Sequence, residues 1–160
     1  MDHLWAPWRK AYILQKSAKR CVFCQIKTSS QNAKKFVLKR SSHSFAVLNL
    51  FPYNNGHAMV VPSRHVSGLE KLRDEELLDL MQLLNQLAER MQKVLKCRGM
   101  NVGINLGKVA GAGIPGHVHI HAVPRWAGDS NFMPVLGHTK VISESLESVY
   151  QRLRWDRTSK

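Results

Sequence analysis

The chain has 160 residues, 44% of them hydrophobic, which is enough for one domain with a buried core. No apolar run approaches the roughly 20 residues that cross a bilayer, and the opening MDHLWAPWRK lacks the apolar centre of a signal peptide, so we expect a cytoplasmic protein with no membrane partner. The 24 Lys+Arg and 11 Asp+Glu give a net charge of +13, which favours an anionic partner such as a nucleotide, a polyphosphate or nucleic acid.

Five short segments rich in Val, Ile and Phe, each bounded by turn residues, are predicted to be β-strands. They are residues 36–39, 44–50, 57–62, 100–106 and 117–124. Residues 52–56, PYNNG, predict a hairpin turn between the second strand and the third.

Two amphipathic helices are predicted from apolar residues at spacings of three and four. The longer one covers residues 74–96, and Gly99 is expected to end it. Ser143 is expected to cap a second, short helix that carries Leu146, Val149, Tyr150 and Leu153 on one face. Strands on both sides of one long helix favour an α+β fold with an antiparallel sheet.

The last predicted strand carries three histidines at alternate positions, His117, His119 and His121. Alternation places the three imidazoles on one face of the strand and the apolar residues on the other. Neighbouring histidines would lie about 7 Å apart and the outer two about 13 Å apart, too far for one ion to bind all three on a straight strand. Separate roles are therefore favoured over a shared metal site, although hydrogen-bonded histidines of a half-buried strand remain an alternative.

A glycine-rich loop, GKVAGAGIPG at residues 107–116, comes directly before these histidines. Glycine has no side chain to keep an anion away from backbone N–H groups, so such a loop is able to cradle phosphate. An ordinary long turn would have the same composition, but the neighbouring histidines and the positive charge favour the phosphate site.

Cys21 and Cys24 form a CxxC pair, and Cys97 makes the cysteine count odd, which argues against a disulfide framework. Two thiolates at this spacing suit a tetrahedral zinc that takes two further ligands. A redox dithiol and chance are the alternatives that the pair alone leaves open.

The motif and its surroundings resemble the histidine triad family of nucleotide hydrolases and transferases. The family pattern His-φ-His-φ-His-φ-φ, where φ is apolar, fits residues 117–123 at every position, and SFAVLNLFPYNNGHAMVVPSRHVSGLEKL upstream extends the likeness to residues 20–126. WAPWR at residues 5–9, AGAGIPG at 110–116 and PRWAGDSNFM at 124–133 are most similar to the bacterial branch of diadenosine tetraphosphate phosphorylases and hydrolases.

The resemblance implies an α+β fold with an antiparallel sheet of about five strands, one long central helix and a short C-terminal helix. It also implies a single domain over residues 1–160, with an N-terminal segment (1–20), a core (21–126) and a C-terminal extension (127–160), and a homodimer.

For the reaction, the resemblance implies that His119 attacks a nucleotide phosphorus to form a nucleotidyl-histidine and that His121 contacts phosphate. Asn105 is placed like the phosphate-side asparagine of the family, although the loop after it is one residue longer. Gly113 and Ile114 stand where the family often has Gln-Ser or Gln-Thr, so backbone N–H groups would replace a hydroxyl at the leaving group.

For the nucleoside, the resemblance implies that Asn49 binds the ribose hydroxyls. An apolar slot for the base corresponds to Phe23, Ile26, Val47 and Leu50. Plain core packing is the alternative role of these four side chains. Adenine nucleotides and dinucleoside polyphosphates are the expected ligands.

Zinc-bearing relatives would complete the cysteine pair with a histidine after the third strand and the first histidine of the motif. Those positions are His65 and His117, so the resemblance implies a structural zinc held by Cys21, Cys24, His65 and His117. A site closed by four protein ligands does no catalysis, and no catalytic cofactor is expected.

Three functions stay open at this point. The favoured one is a nucleotidyl hydrolase or phosphorylase that works through His119, with water or phosphate as the acceptor and with phosphoramidates or adenylates as alternative substrates. The second is a catalytic metal centre on the histidine face. The third is a nucleotide- or nucleic-acid-binding protein without turnover, although the basic clusters lack interleaved aromatic residues and nucleic acid is not the favoured partner.

Overall fold

A computed structural model describes residues 20–129, 136 and 141–155. The motif at residues 5–9, nearly all of the predicted N-terminal segment and residues 130–133 lie outside this part of the chain. The described residues contain three α-helices and five strands. In chain order these are α1 (Val22–Thr28), β1 (Val37–Arg40), β2 (Ser44–Leu48), β3 (Ala58–Pro62), α2 (Asp74–Leu95), β4 (Gly99–Ile104), β5 (Ile120–Arg125) and α3 (Leu146–Leu153).

The five strands form one sheet in the order β1-β2-β3-β5-β4. Every neighbouring pair is antiparallel, so the predicted α+β class is confirmed. The predicted hairpin joins β2 to β3, which pair without a break from Ser44 opposite Pro62 to Leu48 opposite Ala58. In the described part of the chain, no helix is both long enough and apolar enough to cross a membrane.

The sheet has a hydrophobic cluster on each face. On one face α2 and α3 pack against small and aliphatic strand residues such as Ala46, Val60 and Ile120. On the other face Phe23 and Ile26 of α1 pack with alternate strand residues, including Val47 and Met59. His121 lies directly opposite Met59 and therefore belongs to the α1 face, where the rest of the histidine row follows.

The first four predicted strands differ from the observed ones by one or two residues at one or both ends. Three other predicted boundaries are wrong for local reasons. The last strand begins at Ile120 and not at residue 117, because the preceding segment leaves the ladder and Val118 donates instead to the carbonyl of Val66 at 2.7 Å. The long helix ends at Leu95, where Lys96 takes the left-handed conformation (φ 56°), and Gly99 begins β4. Ser145, and not Ser143, caps α3, since its hydroxyl accepts from the Ser148 N–H at 3.1 Å.

The turn before β3 requires glycine at position 56. Gly56 has φ 75°, and a Cβ there would lie 2.6 Å from Leu95 Cδ1. Any other residue would strain this left-handed backbone conformation and would force the Leu95 side chain to shift. This close approach fixes the backbone next to His57, which is fully buried.

Candidate active site and metal centre

His119 is held in one tautomer by the backbone. Its Nδ1 lies 2.9 Å from the carbonyl oxygen of His117, and a carbonyl oxygen only accepts hydrogen bonds. Nδ1 therefore carries the hydrogen, and in the neutral ring Nε2 keeps its lone pair. His119 is only 5% exposed, and this burial lowers the pKa of its ring and favours the neutral form. The arrangement provides a nitrogen nucleophile without a separate base.

His57 and His121 form a hydrogen-bonded pair, and a backbone N–H donates to the first ring of this pair. The N–H of Tyr53 donates to His57 Nδ1 at 3.0 Å, so the hydrogen of the neutral His57 ring is on Nε2. That nitrogen lies 2.9 Å from His121 Nδ1 and donates to it. The remaining hydrogen of neutral His121 is then on its Nε2, which becomes a donor for a phosphate oxygen.

Both rings of this pair stay neutral well below physiological pH. Burial, with the neighbouring His121 and His119, lowers the pKa of His57 to about 3. Burial and His119 lower the pKa of His121 to about 4. No role could be assigned to His57 from the sequence, because it is a single histidine after a turn. Only the pairing of β3 with β5 brings it to His121.

We expect acid to destabilise the fold from pH 6.5 downward because of this pair. In the unfolded chain each ring takes up a proton near its ordinary pKa of 6.5, whereas in the folded protein His121 does so only near 4 and His57 near 3. The unfolded state then binds more protons, so the free energy of unfolding falls as the pH falls through this window. Urea unfolding at several pH values between 7 and 4 measures the slope.

His57→Gln is the comparison protein for this measurement. It removes one of the two titrating rings and should show a shallower fall in stability with acid. Any contribution from metal release is common to both proteins, so the difference in slope isolates His57. Equal slopes in the two proteins would contradict the prediction.

A second cluster of side chains, the metal cluster, brings together three distant parts of the sequence. It consists of Cys21, Cys24, His65 and His117. Its ligand atoms all lie within 4.8 Å of one another. His117 Nδ1 lies 3.4 Å from Cys21 Sγ, 3.8 Å from Cys24 Sγ and 3.2 Å from His65 Nδ1, while His65 Nδ1 lies 3.4 Å from Cys24 Sγ. Ligands around a tetrahedral zinc with ordinary bond lengths are about 3.3–3.8 Å apart, so the four residues fit this ion.

The tautomer of His117 also suits a metal ligand. Its Nε2 lies 2.8 Å from the carbonyl oxygen of Pro62, so the hydrogen is on Nε2 and the lone pair of Nδ1 points into the metal cluster. Burial and the neighbouring Cys21 raise the pKa of the Cys24 thiol, a cost that a bound cation would offset. Both cysteines are free thiols.

His117 connects the two sites. Its ring belongs to the metal cluster, and its carbonyl oxygen orients His119. Phe23 of α1 packs against both rings, with centroids 5.3 Å from His117 and 5.1 Å from His119. The structure therefore gives neighbouring rings of the histidine row distinct surroundings, and their separate roles stay a prediction.

The residues predicted to bind phosphate and ribose lie just after the ends of β2 and β4 and in the glycine-rich loop. Asn49 is half-buried, with Oδ1 accepting from the Phe51 N–H at 2.9 Å and Nδ2 lying 3.4 Å from His57 Nδ1. Asn105 Nδ2 donates to the carbonyl of Gly111 at 3.4 Å and so ties the glycine-rich loop to β4. In that loop Gly113 is exposed, while Ile114 packs against the α1 cluster.

The residues predicted to form the base slot divide into two groups. Phe23, Ile26 and Val47 are buried and pack with the other side chains of the α1 cluster. Leu50 is 52% exposed and is free to contact a ligand. Core packing accounts for the three buried residues, and a direct contact of any of the four with a base stays a prediction.

The fold and the histidine row, in which His117 and His119 are buried, together define a histidine triad protein. The sequence pattern of the family described as HIT domain matches residues 30–128, and the chain belongs to this family.

The chain is similar to named proteins and to solved structures. AP-4-A phosphorylase of Mycobacterium tuberculosis is 38% identical over 165 aligned residues, covering 96% of this chain and 83% of that protein. The asymmetrical bis(5'-nucleosyl)-tetraphosphatase of Schizosaccharomyces pombe is 38% identical over 93 residues, covering 58% of this chain and 50% of that protein. Among solved structures, a zinc-bound histidine triad family protein from Mycobacterium smegmatis has a TM-score of 0.68 and 27% identity, covering 84% of this chain and 90% of that chain.

Proposed function

We propose that this chain is an enzyme that cleaves a nucleotidyl phosphoanhydride, such as that of diadenosine tetraphosphate, through a covalent nucleotidyl-His119 intermediate. The observation that carries the proposal is the hydrogen bond from His119 Nδ1 to the His117 carbonyl, which leaves Nε2 with a lone pair. The names of the two relatives, a phosphorylase and a hydrolase of such dinucleotides, support the substrate class.

In the first step the Nε2 lone pair of His119 attacks the phosphorus next to one adenosine. A nitrogen–phosphorus bond forms, the bond from that phosphorus to the bridging oxygen breaks, and ATP leaves with the bonding electron pair. The Nε2–H of His121 donates to a phosphate oxygen as charge develops there. The His57 ring keeps His121 in the tautomer that makes this donation.

In the second step the acceptor attacks the same phosphorus and the electron pair of the nitrogen–phosphorus bond returns to Nε2. With water the product is AMP, and the proton of the water passes to solvent. With inorganic phosphate the product is ADP. Both acceptors stay open, because either would enter where ATP has left.

The experiment that tests the proposal incubates the protein with diadenosine tetraphosphate, with and without inorganic phosphate, and separates the nucleotides. ADP and ATP formed only with phosphate indicate a phosphorylase, and AMP and ATP formed in water indicate an asymmetrical hydrolase. Absence of all these products would contradict dinucleotide cleavage and favour nucleoside phosphoramidates or adenylates as substrates.

The binding roles of the surrounding residues are part of the proposal. Asn49 binds the ribose, and Asn105 holds the loop whose Gly113 and Ile114 N–H groups face phosphate. The apolar slot of Phe23, Ile26, Val47 and Leu50 receives the base. The half-buried position of Asn49 beside His57 and the exposure of Leu50 support these assignments.

We propose that the metal cluster holds a structural zinc with four protein ligands. The spacing of the four ligand atoms and the Nδ1 lone pair of His117 support it. The ion would link α1 to the segments before α2 and before β5, and with all four positions taken by protein it would leave none for substrate.

A homodimer with paired sheets is also part of the proposal. β4 lies at the edge of the sheet and pairs with β5 alone among the described strands, so its outer backbone groups are open to another strand. Val102 on this edge and Met81 on α2 are exposed apolar residues at 52% and 43%. Sedimentation at micromolar concentration should give twice the chain mass, and a monomer would contradict this.

The cytoplasmic location stays a prediction.

A further inference from the structure

Tyr53 is an exposed aromatic residue directly against the histidine pair. It lies in the turn between β2 and β3, and 60% of the residue is exposed. Its ring is stacked on His121, with centroids 5.9 Å apart and planes 28° apart, and lies 4.6 Å from the ring of His57. One part of the ring is therefore occupied by the imidazoles, and the rest is accessible to a ligand.

In the part of the chain that the structure describes, two aromatic side chains, Phe23 and Tyr53, contact the histidine row, one toward each end. Phe23 contacts His117 and His119 at one end, where the apolar slot for the base is proposed. Tyr53 contacts His121 and His57 at the other end. His121, with its Nε2 donor for phosphate, adjoins Tyr53. A substrate with a base at each end of a polyphosphate has a second base to place, and an exposed aromatic ring is a surface on which a base stacks.

We propose that Tyr53 is a specificity-determining residue that stacks on the base of the leaving nucleotide and makes the site prefer dinucleoside polyphosphates over mononucleoside polyphosphates. The inference rests on the proposed function for the identity of the substrate. Stacking of one base on one aromatic residue changes affinity by about 5- to 150-fold, which is large enough to set a preference.

The proposed stacking uses the side chain of Tyr53, whereas the orientation of His57 and His121 depends on its main-chain N–H. The donor to His57 is the main-chain N–H of Tyr53, which every substitution except proline keeps. Replacing the side chain therefore removes the exposed ring and leaves the hydrogen-bonded pair of histidines in place. An effect limited to ligands with a second base then reports on the ring.

The test compares two ligands by calorimetry on proteins that also carry His119→Asn, so that no covalent adduct forms. The ligands are diadenosine tetraphosphate and adenosine 5'-tetraphosphate, which share one adenosine and four phosphates and differ in the second adenosine. Because their terminal charges differ, the quantity compared between proteins is the ratio of the two dissociation constants. Tyr53→Ala and Tyr53→Leu should each lower the preference for the dinucleotide by about 5- to 150-fold, and Tyr53→Phe should keep it.

Leu50→Ala is the matched control. Leu50 is exposed to a similar degree and is proposed to contact the base that both ligands share, so it should weaken both and leave their ratio unchanged. A ratio unchanged by Tyr53→Ala, or undetectable binding of both ligands, would overturn the inference. Failure of the proposed function is a different result, namely absence of turnover by the protein with His119 intact.

Discussion

Replacement of His119 by asparagine is expected to lower kcat/KM for diadenosine tetraphosphate by at least about 10⁴-fold, because the loss of a covalent nucleophile removes the whole two-step route. The orientation of the ring supports this size of effect. Its Nδ1 is fixed by the His117 carbonyl, and Nε2 is the atom left to react. Initial rates of ATP release measure the loss, and thermal unfolding checks that the variant is folded.

His121→Asn is the informative comparison, because it removes a hydrogen-bond donor and leaves the nucleophile. A single donor to developing charge contributes about 10²- to 10³-fold, so this variant should retain more activity than His119→Asn. In rapidly quenched reactions of the unaltered protein, peptide mapping should find an adenylyl group on His119. Activity of His119→Asn within tenfold of the original, or an adduct on another residue, would contradict the mechanism.

The histidine motif was predictable from the sequence because it carries its own spacing. Three imidazoles in phase within a short apolar segment fit few families, and the family and its five-stranded antiparallel fold are confirmed. The segment was nevertheless expected to be strand throughout. In the structure His117 precedes the strand because its ring is drawn to Pro62 and the metal cluster, contacts between residues far apart in the chain.

His57 shows why the rest of the site was not predictable. Nothing in its local sequence distinguishes it from a histidine that merely follows a turn. Its role depends on the register that places Met59 opposite His121, and on the Tyr53 N–H that fixes its tautomer. The base slot is hard to predict for a different reason. Phe23 and Val47 are apolar because they belong to the hydrophobic core, so their residue types do not show whether a base also contacts them.

The response to metal removal distinguishes a structural metal site from a catalytic one. If the histidine face were a metal centre, a chelator would stop turnover at once. The tautomer of His121 argues against that arrangement, because its Nδ1 accepts from His57 and its Nε2 carries the hydrogen, so this ring offers a metal no free lone pair. A structural ion in the metal cluster would instead be lost slowly, and its loss would be measured first as a loss of stability.

Cys21→Ser is therefore expected to lower the zinc content from about one ion per chain to nearly none and to make the protein less stable. An ion present at 100 to 1,000 times its dissociation constant stabilises a fold by about 3–4 kcal/mol, and for a domain of this size that corresponds to roughly 6–16 °C in Tm. Cys21 precedes the first residue of α1, and serine is a favoured residue at that position, so the substitution does not weaken the helix itself. The loss of stability is then attributable to the metal.

Cys97→Ala is the matched control, because this buried cysteine lies in the hydrophobic cluster with α2 and should leave the zinc content unchanged. Metal analysis that finds zinc retained in Cys21→Ser, or absent from the unaltered protein, would show that the four ligands do not hold a structural zinc.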